Sequence, residues 1–347
     1  MKASDPDVQE RLRVMQQAGI PPERIVPLIG DASTRLYFRA FYPSGQTAII
    51  MVMPQAGVGE EDSFLQIRKF LADRDLPVPR LHEHDRGLGI VVLEDLGDDL
   101  LESVVARSSE DEIRALYTQA IELLVKLRKA TDGLTGGCPA FERAFDLTKL
   151  MEEMDFFVTH FVRGLCRIEP SPAALATLYD FFTNICSLLA EEPRVFAHRD
   201  YHSRNLILHE GRLVMIDFQD ARMGPAQYDL ASLLRDSYVT VPQELMDKLM
   251  AEYFAAIPAL GQDPSFERFR FVFDVMSLQR NIKALGTFGY QASVIGNRRY
   301  LSAVPRTGAY VARSIGLHSA YAPYVSVVHD LVSGPAQSCP DTGHVGF

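Results

Sequence analysis

The chain has 347 residues, 47% of them apolar and 23% charged, close to the usage of soluble globular proteins, so disorder is excluded for most of its length. Its 35 Lys and Arg against 45 Asp and Glu give a net charge of −10, which removes the broad positive field that non-specific nucleic-acid binding needs. The longest uninterrupted apolar runs, residues 48–53 and 89–93, fall far short of the ~20 residues that span a bilayer, so no membrane partner is expected.

Residues 1–15 are charged and lack an apolar core, and no signal peptide is expected there. Residues 24–29 form a short apolar run, followed by the small turn Gly30-Asp31-Ala32-Ser33-Thr34. Residues 36–42 alternate with aromatics, Pro43-Ser44-Gly45-Gln46 reads as a hairpin turn, and residues 47–53 are a strand too apolar to be solvated on both faces. Phe64, Ile67 and Leu71 stand at helical spacing within 61–73, Pro77 and Pro79 end that segment, and 89–93 is another buried strand. His82 and His84 lie between them and read as solvated loop residues.

Beyond Leu96-Gly97 the pattern turns helical. Ser109 and Glu112 make a capping box, and Ile113, Leu116, Ala120, Leu124 and Leu127 follow as one apolar face. Leu147, Leu150, Met154, Phe157 and Phe161 form a second face. Ser171-Pro172 opens a third helix with core residues Leu175, Leu178, Phe182, Ile185 and Leu189. Short strands at 195–197, 206–208 and 213–216 interrupt the helices, the last two joined by a tight turn at Glu210-Gly211. More helices follow from Tyr228 to about Leu317, and the aperiodic stretch 333–347 is expected to be a disordered tail. The outline is an α+β chain: a β-rich N-terminal lobe over 1–97 and a helical C-terminal lobe over 98–332. Cys138, Cys166, Cys186 and Cys339 fit neither a zinc-ribbon nor a redox-pair spacing, so free thiols in a reducing cytoplasm are expected.

The densest polar cluster is His198-Arg199-Asp200-Tyr201-His202-Ser203-Arg204-Asn205, set between two apolar strands, and Asp217-Phe218-Gln219 follows the next hairpin. One carboxylate there can accept a hydroxyl proton while a second carboxylate and an amide oxygen hold Mg²⁺, a division of labour that phosphoryl transfer needs. A second reading takes His198 and His202, four apart, as ligands of a metal-dependent hydrolase, but it leaves Asn205 and the Asp-Phe pair unexplained.

The H-x-D-x-x-x-x-N spacing followed by Asp-Phe resembles the aminoglycoside phosphotransferase and choline kinase superfamily, whose fold is two-lobed and protein-kinase-like. The resemblance covers about residues 25–315. It implies ATP and Mg²⁺ as cofactors, Asp200 as catalytic base, Asn205 and Asp217 as metal ligands, and His198 and Asp229 as supports of the catalytic loop. It also implies a nucleotide site built from Gly30, Ala32, Ser33 and Arg35 in the turn, with adenine against the backbone of a hinge at 93–97 that includes Glu94 and Leu96. From its position at the start of a helix, Asp229 also reads as an N-cap.

Three segments, 30–39, 224–236 and 279–286, resemble the bacterial anomeric N-acetylmuramate and N-acetylglucosamine kinases of cell-wall recycling. This finer resemblance implies a sugar acceptor phosphorylated at C1, with Arg280, Asn281 and Lys283 in its pocket and Arg280 suited to the lactyl carboxylate of muramate. An aminoglycoside, choline or other amino alcohol is the alternative acceptor, and the acidic run Glu94, Asp95, Asp98, Asp99, Glu102 is where a cation could be drawn. The chain departs from the family at the third strand, which has no lysine to pair with the α and β phosphates. Arg35 in the turn and Arg68 or Lys69 on the following helix are candidates to supply that charge; otherwise nucleotide binding is weak, and a nucleotide-binding regulator or pseudokinase is the further alternative. The sequence assigns no oligomeric state.

Overall fold

The computed structural model describes residues 4–17, 22–28, 35–53, 60–259 and 265–337. Along the chain these form α1 (Pro6–Gln17), β1 (Arg24–Leu28), β2 (Leu36–Phe41), β3 (Thr47–Val52), α2 (Glu60–Ala72), β4 (Leu81–Asp85), β5 (Ile90–Glu94), α3 (Leu101–Val105) and α4 (Glu110–Ala130). There follow α5 (Leu147–Phe157), α6 (Pro172–Glu191), β6 (Arg194–Ala197), β7 (Leu206–His209), β8 (Arg212–Met215), β9 (Arg222–Pro225), α7 (Gln227–Leu234), α8 (Gln243–Ala256), α9 (Phe266–Tyr290) and α10 (Val304–Gly316), with the short α11 (Val325–Val328) and α12 (Gly334–Gln337) last. They fall into two compact units, Met1–Leu100 with Leu206–Gln219 and Leu101–Asn205 with Asp220–Phe347.

The first unit is built on an antiparallel sheet in the order β1-β2-β3-β5-β4. Gly45, at a φ of 81°, lets the chain turn between β2 and β3. β3 is central, and Ile50, Met51 and Val52 are buried on both faces. Val8 and Leu12 of α1 pack with Phe38, Ala40, Ile50, Val52, Ile90 and Val92. The Arg11 guanidinium reaches the carbonyls of Met53 and Gly89 at 2.9 Å, which ties the helix to the sheet margin. Neither α1 nor β4 stands out in the sequence, so His82 and His84 lie on an edge strand rather than in a loop. The β7–β8 hairpin, which the sequence pattern groups with the helices, packs with this unit. Leu208 N–H donates to Asp99 O at 2.8 Å, Met215 N–H to Pro77 O at 2.9 Å, and Ile207 and Val214 share a small core with Leu96.

The second unit is helical, with β6 and β9 as its one sheet among the described residues. The Ser109 capping box forms in full, and Ser171 and Asp146 cap α6 and α5. Leu150, Met154 and Phe157 are buried as their spacing predicts, whereas Leu147, the first residue of α5, is 41% exposed because no turn precedes it. α9 is the central column: sixteen of its residues are buried, and it is flanked by α5, α6, α7 and α10. Gly286 lets α5 approach, since a Cβ there would lie 2.8 Å from Phe157 Cα. By length and composition α6 alone among the described helices could cross a membrane, but Phe181, Phe182, Ile185 and Leu189 are buried and Phe182 meets Phe157 edge-on at 6.2 Å, which marks a core helix. The tail expectation fails over 333–337: Gly334–Gln337 is helical, and Ala336 is fully buried beside Gly308 of α10. Residues 338–347 lie outside the described residues, as does Cys339; Cys138, Cys166 and Cys186 form no disulfide among the described residues.

Candidate active site

In the second unit, β6 delivers the chain into the loop His198–Asn205, and its hydrogen-bond partners hold that loop at several points. Asp229, 3% exposed on α7, accepts N–H bonds from His198 at 2.6 Å and Arg199 at 2.9 Å. The N-cap of α7 is Ala226, so Asp229 is not the N-cap expected from position; its carboxylate serves the loop instead. Burial pushes its carboxyl up to about 7 against the pull of those two N–H bonds. Asp236, 2% exposed, does the same further along, accepting from Ser203 N–H at 2.9 Å and Tyr238 N–H at 2.8 Å. Tyr201 is fully buried and its hydroxyl donates to Ala120 O of α4 at 2.7 Å. Arg204 forks onto Glu102 at 2.7 and 3.0 Å and covers the Tyr238 ring. His198 is 1% exposed and packs edge-on against Tyr201.

This bracing keeps Arg199 at a φ of 81°, a left-handed conformation that costs a non-glycine residue about 1–3 kcal/mol. It also directs Asp200 into a pocket lined by His202, Asp236, Tyr238, Arg280, Asn281, Lys283 and Phe288. Lys283 Nζ stands 3.4 Å from Asp200 Oδ1, and Arg199 Nε 3.9 Å from Oδ2. Burial opposes the charge on Asp200, but Lys283, Arg199 and Arg280 outweigh it and hold the carboxyl well below the usual carboxylate range. His202 is neutral, since burial takes its imidazole down to about 3. Asn205 donates its side-chain amide to Asp200 O at 2.9 Å. Arg280 donates to Arg199 O at 2.7 Å and lies 4.6 Å over the Tyr228 ring. Asn281 is 3% exposed, and its Nδ2 has no hydrogen-bond partner among the described residues.

In the first unit, Asp217 follows the β7–β8 hairpin at a φ of 62° and accepts from Gln219 Nε2 at 2.8 Å. Phe218 is fully buried and stacks on Phe64 of α2, with ring centroids 5.2 Å apart, and Ser63 Oγ donates to Gln219 O at 3.1 Å. Glu94 is clasped by Arg80, whose Nη2 lies 2.6 Å from its carboxylate, and Leu96 O meets His209 Nδ1 at 3.1 Å. Arg39 binds Asp95 and Asp98, so the acidic run from Glu94 to Glu102 is already partly neutralised. Arg35 is 7% exposed where β2 begins. Lys69 is exposed and paired with Asp73, and Val52 is buried where a third-strand lysine would stand. Gly30, Ala32 and Ser33 lie outside the described residues.

Residues 24–267 match the model of the phosphotransferase enzyme family. The chain belongs to that family. It is 32% identical over 304 residues to an N-acetylmuramate/N-acetylglucosamine kinase of Pseudomonas aeruginosa, covering 85% of each chain. It is 31% identical over 317 residues to the protein of that name from Neisseria meningitidis serogroup B, covering 90% of this chain and 92% of the relative. Among solved structures it is similar to the gentamicin complex of the phosphotransferase APH(2")-IIa, with a TM-score of 0.60 at 16% identity over 88% of this chain and 97% of the other. It is also similar to the choline kinase LicA of Streptococcus pneumoniae, with a TM-score of 0.57 at 15% identity over 87% and 99%. These likenesses establish the kinase-like α+β fold, and the family makes the chain a phosphotransferase with an alcohol acceptor.

Asn205, an amide in the second unit, and Asp217, a carboxylate in the first, are hard oxygen donors of the kind Mg²⁺ takes. No cluster of three or more His, Cys, Asp or Glu among the described residues could hold a metal unaided, and His198 and His202 form no such set. Sequence reasoning passed over Asp236 as a loop brace and Lys283 as the partner of Asp200. Asp236 lies 33 residues from the Ser203 it holds, and Lys283 lies 83 residues from Asp200, so no local pattern points to either.

Proposed function

We propose that this phosphotransferase moves the γ-phosphate of ATP to the anomeric C1 hydroxyl of N-acetylmuramate and N-acetylglucosamine. The observation that carries the choice of acceptor is the charge state of the pocket beside Asp200. Its two carboxylates are both engaged, Asp236 by backbone N–H groups and Asp200 by Lys283, while Arg280 and Lys283 flank them. A cationic aminoglycoside or choline would meet cations there with no spare carboxylate, whereas a neutral or anionic sugar is accommodated. The names of the relatives agree with that choice.

Asp200 receives the acceptor hydroxyl. Held well below the usual carboxylate range, it is a weak base, adequate where phosphorus–oxygen bond breaking runs ahead of proton transfer. A hemiacetal hydroxyl is more acidic than an ordinary alcohol, which further eases the demand. Mg²⁺, when bound, neutralises phosphate charge, and Asn205 and Asp217 are the residues that would hold it. Arg280 spends one N–H on Arg199 O; its remaining donors make no hydrogen bond to described residues and suit the lactyl carboxylate. Asn281 Nδ2 suits the acetamido oxygen common to both sugars. Adenine is assigned to the backbone of Glu94 and Leu96, and the phosphates to Gly30, Ala32, Ser33 and Arg35.

The test is ³¹P NMR of the protein with Mg-ATP and, separately, N-acetylmuramate, N-acetylglucosamine, choline and an aminoglycoside. A sugar 1-phosphate resonance, absent with Asp200→Asn, is the expected result. Silence with both sugars and a product from a cationic acceptor would overturn the reading.

A further inference from the structure

Phosphoryl transfer spreads negative charge over the equatorial oxygens of the moving group, and catalysis depends on fixed positive charge waiting there. Strand β3 supplies none, since Thr47–Val52 contains no lysine. Around Asp200 most cations are engaged elsewhere. Arg199 Nη1 binds Asp220 at 2.8 Å, Arg204 forks onto Glu102, and Arg280 donates to Arg199 O. Lys283 differs. Its ammonium touches only the Asp200 carboxylate among the described residues, with the side chain 17% exposed and lining the pocket. An attacking hydroxyl must sit about 2.6–3.2 Å from that same carboxylate, so the ammonium stands beside the oxygen that phosphorus approaches.

We infer that Lys283, reaching in from α9, is a catalytic residue that contacts the transferring phosphoryl group from the acceptor side. The inference rests on the kinase reading above and adds to it. In the step, the acceptor oxygen bonds to phosphorus as phosphorus parts from the β–γ bridging oxygen of ATP. The hydroxyl proton goes to Asp200, ADP leaves with the electron pair, and Lys283 keeps its protons throughout. Of its three N–H donors, one faces Asp200 and the others serve phosphoryl oxygens.

The decisive measurement is calorimetric titration of Mg-ADP with and without fluoroaluminate, a planar mimic of the phosphoryl group, on wild type, Lys283→Met and Lys283→Arg. Lys283→Met should bind Mg-ADP within about threefold of wild type yet lose about 100-fold of the extra affinity that fluoroaluminate confers, the scale set by removing one preorganised donor. Lys283→Arg should keep most of it. The same loss should appear when Lys283→Met is combined with Asp200→Asn. Full fluoroaluminate enhancement in Lys283→Met would overturn the inference, and so would a loss that vanishes in the Asp200→Asn background, because Lys283 would then act only by positioning Asp200. A melting shift with Mg-ADP verifies folding, and Lys283→Gln replaces the Met variant should that one fail to fold. No sugar enters the titration, so its outcome is separate from the acceptor reading, which fails only by NMR.

Discussion

Replacing Asp229 by alanine strands the N–H groups of His198 and Arg199, both now satisfied by one buried carboxylate at 2.6 and 2.9 Å. Each buried donor left without a partner costs about 1–3 kcal/mol, so the pair predicts a loss of about 2–6 kcal/mol. That is a large share of the ~5–15 kcal/mol that holds a typical domain together. The same two bonds fix the left-handed Arg199, and Asp200 is the next residue, so relaxation of that strain displaces the proposed base. A displacement of about 1 Å is enough for a 100-fold loss of kcat. Urea denaturation and steady-state kinetics together provide the assay: the expected pattern is lower stability, kcat down about 100-fold, and Mg-ATP affinity within about threefold. Asp229→Asn keeps one acceptor oxygen and should lose about half as much stability. An alanine variant within about 0.5 kcal/mol of wild type and fully active would refute the brace.

Asp229 also yields a pH signature. Its folded-state carboxyl stands near 7, above the ~3.9 of an unfolded chain. The stability it contributes is therefore complete below about pH 4 and lost as pH rises through about 7. The unfolding free energy of wild type minus that of Asp229→Asn should fall across that interval by denaturation at several pH values, and a flat difference would contradict it. Asp200→Asn should remove turnover while calorimetry shows Mg-ATP binding nearly unchanged. Arg280→Gln should reduce kcat/KM for N-acetylmuramate about 10-fold or more relative to N-acetylglucosamine, the value of a charge-assisted bond of ~1.5 kcal/mol or more; an unchanged ratio would free Arg280 from the carboxylate. Gly286→Ala places a Cβ 2.8 Å from Phe157 Cα and 3.0 Å from Phe157 N, backbone on both counts, and should cost about 1–3 kcal/mol or more by thermal melting.

What the chain order carries locally was legible. The Ser109 box, the Ser171-Pro172 start and the Glu210-Gly211 turn each depend on neighbours within four residues, and each forms as read. The strands β2 and β3 follow from alternation and from an apolar run buried on both faces. α1 escaped because its buried residues are few, with Val8 and Leu12 doing the packing while Arg11 docks through carbonyls of a distant loop. β9 escaped because Arg222-Met223-Gly224-Pro225 has no β-former pattern; it is a strand only because β6 pairs with it and Phe145 lies against Gly224.

The active loop divides along the same line. Its chemistry is written in one octapeptide, and spacing alone singled out Asp200 and Asn205. Its geometry is supplied from elsewhere, by Asp229 and Asp236 on either side of α7's end and by Arg280 and Lys283 one helical turn apart on α9. Family resemblance pointed to Asp229 as a support of the loop and placed Arg280 and Lys283 in the acceptor pocket, but no local pattern pointed to Asp236 or paired either α9 cation with the loop. Burial decides the pairing. A carboxylate or ammonium that is nearly closed off from water must be matched by a partner, and for three of the four that partner is the loop's own backbone. The loop is thus held largely from outside, with its backbone groups bearing the load of position.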